Sequence, residues 1–287
     1  MKKVYQLLLL AALFCVVSPA AAQRKTDAEW LQLIKKDYRQ FAREFTADSP
    51  TDFAKTQKVV HWLVQHFEWK TTDYQKRTVE QIIARGGGNC AELASITKAM
   101  LKELQVQQRT VQEINLHKES EQRQENARQL VQEKGNRGSV FGRQHNDHVW
   151  LEVYDATTKQ WQPVDPSLGL VGLQDWLRSR VLFEERQLLD PTGHDMIVPM
   201  AIFVLGPGGE LLEDRTQHYL VQAFNQYYGQ RLQTLPDWAA WQSSLATLGP
   251  KCYQAFAGKT NLHQYGQEIA QLGQVYQKLK VSYKSKK

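Results

Sequence analysis

The residues best suited to chemistry lie in Gly86-Gly87-Gly88-Asn89-Cys90-Ala91-Glu92-Leu93-Ala94. A helical pattern starts at the cysteine. Leu93, Ile96, Met100 and Leu104 share one face, and Lys98, Lys102 and Glu103 fall on others. Cys90 therefore stands in a first helical turn. Free N–H groups and the positive end of the helix dipole converge there and favour a thiolate, so the thiol should titrate low and attack acyl carbon. The Cys90 N–H could donate to a developing oxyanion, and the glycines let a substrate approach the backbone closely. Two other fates stay open for this cysteine: a small buried residue at a helix start, or a disulfide with Cys252.

Acyl chemistry at a thiolate also needs a base and a group to orient that base. His148-Val149-Trp150-Leu151-Glu152-Val153-Tyr154 alternates as a strand, with Val149, Leu151 and Val153 on one face and His148, Trp150 and Glu152 on the other. Asp155 to Lys159 supplies a turn. Gln160 to Asp165 forms the returning strand, stopped by Pro166. If the turn pairs Tyr154 with Lys159, His148 falls directly across from Asp165, with Cβ atoms roughly 5 Å apart. A one-residue slip would put the two on opposite faces. Cys90, His148 and Asp165 thus stand in the order nucleophile, base, orienter.

Helices are expected before the glycine loop. Thr26-Asp27-Ala28-Glu29 is a capping box opening a helix through Leu31, Ile34, Tyr38, Phe41 and Phe45. Ser49-Pro50-Thr51-Asp52 starts a second, with Pro50 suited to its first position and Val60, Leu63, Val64 and Phe67 on its buried face. Thr78-Val79-Glu80-Gln81 opens a short third helix that runs through Arg85 into the glycines. Arg109 to Ile114 reads as a strand. Residues 115–145 are rich in Glu, Gln, Arg, Lys and Asn, and read as a weakly packed helix or excursion. From Leu173 the pattern is mainly helical. The exception is Met196 to Leu205, a buried-strand run in which Pro199 argues for an edge or a bulge.

Met1 to Ala22 has the pattern of a cleaved secretory signal: Lys2 and Lys3, an apolar run from Leu7 to Val17, then small residues before Gln23. Export to the periplasm or medium is expected, with no transmembrane segment after cleavage. Without Lys2 and Lys3 the balance is 34 basic against 30 acidic residues, and several lysines crowd the C-terminus. This mild excess gives no reason to expect nucleic-acid binding. Two cysteines in the remaining chain exclude a disulfide scaffold. His145 and His148 lack a marked third ligand, so neither metal nor cofactor is expected.

Three ordered motifs resemble those of the transglutaminase-like superfamily: the Gly86–Ala94 segment, Asp147-His148-Val149-Trp150-Leu151-Glu152-Val153, and Trp161-Gln162-Pro163-Val164-Asp165-Pro166-Ser167. The resemblance extends over roughly Asp52 to Ser167. It implies an α+β, papain-like core with an antiparallel sheet and a Cys90–His148–Asp165 triad. It also implies thiol-dependent hydrolysis or transfer at peptide or protein amides. Members often use an aromatic or Gln side chain as a second oxyanion donor, and Trp69 stands at about the right place. The chain departs from the family in its long 115–145 stretch and in Asn89, where small or apolar residues are common. The expected organisation is a signal over 1–22, a core with lead-in helices over 23–170, and a mainly helical region over 171–287. The alternative is a binding module that keeps the fold without turnover.

Overall fold

The computed structural model describes residues 25–70, 73, 75–116, 148–181 and 198–285. The leader read over 1–22, nearly all of the polar stretch read over 115–145, and His117, His145 and His194 lie outside the described residues.

The single helix expected through Phe45 is two, α1 (Asp27–Lys36) and α2 (Tyr38–Phe45). Asp37 causes the break. Its backbone is extended, and its carboxylate accepts from the N–H groups of Arg39 and Gln40 at 2.9 and 3.0 Å, so it caps α2. The apolar stripe survives the kink, with Ile34, Tyr38 and Phe41 all buried. Helix α3 (Asp52–His66) is capped by the Thr51 hydroxyl, which accepts from the Ala54 N–H. Pro50 therefore precedes the cap instead of opening the helix. Val60, Leu63 and Phe67 are buried as expected, but Val64 is 42% exposed. The capping boxes at Thr26/Glu29 and Thr78/Gln81 both form, the second opening α4 (Val79–Arg85).

Strands β1 (Glu68–Trp69) and β2 (Gly87–Gly88) make a two-residue parallel ladder just before α5 (Cys90–Glu103). Gly87 is required there, because a Cβ would come within 2.1 Å of the Glu68 carbonyl oxygen. A six-stranded antiparallel sheet follows. It comprises β3 (Gln108–Asn115), β4 (His148–Asp155), β5 (Gln160–Asp165), β6 (Leu170–Val171), β7 (Pro199–Leu205) and β8 (Leu211–Asp214), in the order β6-β5-β4-β3-β7-β8. Pro199 opens an interior strand, beside a bulge at Ile114/Asn115. Of the two expected settings, edge or bulge, only the bulge is found; a first-position proline withholds no ladder N–H that the strand needs.

The alternation along β4 sorts two cores. Val149, Leu151 and Val153 pack with Val60 of α3 and with Ala94 and Leu101 of α5. Trp150 joins Val111 and the C-terminal helices on the other face. Those helices are α6 (Leu173–Val181), then a π-helical turn (His218–Ala223) continuing into α7 (Phe224–Tyr228), then α8 (Trp238–Phe256) and α9 (Gly266–Ser285). The molecule is thus the expected mixture of helices and antiparallel sheet with a helical C-terminal region. Two strands of the sheet, β7 and β8, come from beyond residue 170.

Candidate active site

Asn89 explains how Cys90 comes to begin α5. Its Oδ1 accepts from the Glu92 N–H at 3.0 Å, and Glu92 Oε2 accepts from the Asn89 N–H at 3.1 Å, a reciprocal cap. The polar residue that departs from the usual motif is therefore the N-cap of the cysteine helix. Glu92 is buried, and Arg77 and Arg85 neutralise it, with Nη1 atoms at 2.9 and 3.2 Å. Arg77 also holds Asp73, whose carboxyl it keeps down at about 2. Gly88 leaves room for this arrangement, since a Cβ there would stand 2.6 Å from that of Glu92.

The hairpin register differs from the expectation by two residues. Asp155 pairs with Gln160 and Leu151 with Val164, so His148 and Asp165 are diagonal neighbours, not opposite ones. The turn is the cause. Asp155 accepts from the Thr157 N–H and the Thr158 hydroxyl, and Lys159 takes a positive φ of 56°, which delays the start of the return strand. A slip of two preserves the face, because side chains alternate with period two. The pair still meets: His148 Nε2 lies 2.6 Å from Asp165 Oδ2, with both side chains buried. Ser167 fixes the other carboxylate oxygen, donating from its N–H at 3.1 Å and its hydroxyl at 2.7 Å.

The Cys90 thiol lies close enough to the same imidazole to favour its protonated form, and with Nε2 turned to Asp165, Nδ1 is the ring nitrogen left for the sulfur. Burial disfavours a charged His148 ring, but the Asp165 charge and hydrogen bond, helped by Cys90, push it up to about 10. Cys90 is partly exposed and Cys252 buried, and neither is in a disulfide, so the bridge left open by the sequence does not form. Trp69 is drawn alongside Gly88 by the β1–β2 ladder, two residues before the cysteine, and its side chain is 40% exposed. Cys90, His148 and Asp165 are brought together; His61 and His263 lie apart, on the exposed side of α3 and in the 3-10 turn before α9.

Two residues that sequence reasoning missed adjoin the site. Glu113 is the direct cross-strand partner of His148. It is fully buried, and it accepts from Trp150 Nε1 at 2.9 Å and from the Arg180 guanidinium. Their contact spans 67 residues of chain, and no short-range pattern announces it.

Residues 39–166 match the family described as the transglutaminase-like superfamily. That segment carries the Cys90, His148 and Asp165 motifs, which meet at the start of α5 and at the ends of β4 and β5. No curated protein matches the chain. Among solved structures, a candidate protease of Parabacteroides distasonis ATCC 8503 is similar at 12% identity and a TM-score of 0.37, over 66% of this chain and 31% of that one. The chain spans about a third of that protein's length.

Proposed function

We propose that the protein is an exported thiol-dependent acyl enzyme acting on peptide or protein amides. The observation that supports this best is one buried imidazole held by Asp165 at 2.6 Å beside a partly exposed, free thiol at a helix N-terminus. In the reading favoured here, Cys90 and His148 share one proton as thiolate and imidazolium. The sulfur attacks the amide carbon, and the carbonyl electrons move to oxygen, where the Cys90 N–H and the Trp69 side chain are the candidate donors. His148 gives its proton to the departing nitrogen as the C–N bond breaks, leaving a thioester. Water or an amine then attacks, His148 takes its proton, and the C–S bond breaks. Abundant water makes hydrolysis the default outcome. Asp165 keeps the ring in the productive tautomer and offsets its charge.

The test is intact-mass detection of an acyl-enzyme during incubation with peptide amides. A thioester adduct and released amine with the natural chain, both missing in Cys90→Ala, are expected. Turnover that survives Cys90→Ala would overturn the reading. A reactive cysteine with no turnover on any amide would favour the binding module.

A further inference from the structure

A buried ion pair stands behind the candidate dyad and is not used in the chemistry above. Arg180, near the end of α6, and Glu113, on β3, are both fully buried. Arg180 Nη2 contacts Glu113 Oε1 and lies 3.5 Å from Asn115 Oδ1, while its Nε and Nη1 have no hydrogen-bond partner. The end of α6 is pinned from the C-terminal region, where the Tyr276 hydroxyl donates to the Val181 carbonyl at 2.6 Å. Trp176 on the same helix packs against Trp150 at a ring separation of 5.2 Å. So the helical extension places a cation directly behind the β3–β4 pair that carries His148.

A pair that served only to hold α6 would be expected to spend its donors. Arg180 leaves two idle, in a dry environment where charge acts at long range. Glu113 is on the same face as His148 because the two are opposite in the ladder. Burial lowers the Arg180 guanidinium to about 9, still charged at neutral pH, and its field reaches the Cys90 sulfur. Among the described residues, the charged groups around the dyad come from several elements. Asp165 is on β5, Glu113 on β3 and Arg180 on α6, while Glu92 on α5 is neutralised by Arg77 and Arg85.

We infer that Glu113 and Arg180 are positioning residues of opposite sign that set how readily Cys90 becomes a thiolate: Arg180 favours the thiolate by its charge, and Glu113, whose oxygens are bonded to Trp150 and Arg180 where those of Asp165 hold the ring, acts by its charge alone and opposes it. The inference rests on the reading of Cys90 and His148 as the reacting pair. It also gives the C-terminal helices a part in the chemistry: they hold the cation whose charge cancels a carboxylate placed beside the base.

The experiment is a pH series of iodoacetamide labelling of Cys90, read by mass spectrometry, on the natural chain, Glu113→Gln, Arg180→Met, the double variant and His148→Ala. Glu113→Gln should move the labelling midpoint down by about one pH unit, the scale of a buried unit charge several ångströms away. Arg180→Met should move it up by a similar amount, and the double variant should return close to the natural chain. A merely structural pair would move both single variants the same way or neither. Either result, with His148→Ala still shifting the midpoint, overturns the inference and leaves the functional reading intact. If His148→Ala shifts nothing either, both fall. Should Arg180→Met fail to fold, Glu113→Gln and the double variant, which retains charge balance, carry the test unaided.

Discussion

Two buried polar clusters sit on the same face of β4, four residues apart, and differ in what their protons can do. Around Glu152 every partner among the described residues is a fixed donor. Arg109 Nε lies 2.6 Å from Oε2, Arg215 Nε lies 3.1 Å from Oε1, and the Tyr219 hydroxyl donates to Oε1. Burial and the Glu152 charge push the Tyr219 hydroxyl far above its ordinary range, so it stays protonated. Around the His148 imidazole the partners are the Asp165 carboxylate and the Cys90 thiol, and a proton can pass between the thiol and the ring. The first cluster joins the sheet to the C-terminal helices; the second faces a partly exposed sulfur. Burying charge is common to both, and transferable protons are what distinguish a reactive site from a brace.

The contrast predicts opposite consequences for removing one group from each. Cys90→Ala should abolish amide turnover, by about 10³-fold or more, without lowering the denaturation midpoint. Turnover assays with matched urea melts check this. Glu152→Gln should do the reverse. Removing the buried charge beside two partly buried guanidinium groups should cost about 3 kcal/mol of stability while leaving the pH profile of Cys90 labelling in place. A shifted profile without a loss of stability would make Glu152 part of the site.

A further effect separates the clusters by pH. The folded His148 ring titrates at about 10 against an ordinary 6.5. A raised value means that its contribution to stability is complete below 6.5 and disappears as pH rises through about 10. Denaturant midpoints should fall across that window, and the fall should be missing in His148→Ala. Equal slopes in the two proteins would place the imidazolium elsewhere. The smallest effect belongs to the support of the cysteine helix. Asn89→Ala should cost about 1 kcal/mol, the usual value of an N-cap, with slower labelling of Cys90 from a frayed first turn.

Much of this was legible in the sequence, for local reasons. The Thr26 and Thr78 capping boxes, the helix starting at Cys90 and the two faces of β4 depend on short periodicities that the fold obeys. Asn89 and Glu92 carry the spacing of a capping box too, a signal overlooked because the residue was weighed only as a departure from a motif. The hairpin register was misread by two, since it depends on side-chain bonds inside the turn, at Asp155, and on the left-handed backbone of Lys159. The break at Asp37 was hidden by an apolar stripe that continues across it. Glu113 and Arg180 were out of reach, because tertiary packing alone brings them beside His148.

The central claim is that the His148–Asp165 pair activates Cys90. The most direct measurement compares iodoacetamide labelling of Cys90 across pH in the folded natural chain, in Asp165→Asn and in His148→Ala, with the urea-unfolded chain as the reference thiol. The account predicts labelling of the folded chain well below pH 8, at a lower midpoint than the unfolded reference. Asp165→Asn should move the midpoint up, and His148→Ala further up, with circular dichroism unchanged. A folded chain that labels no earlier than the unfolded one, with both variants indistinguishable from it, would mean that the three residues meet without activating the sulfur.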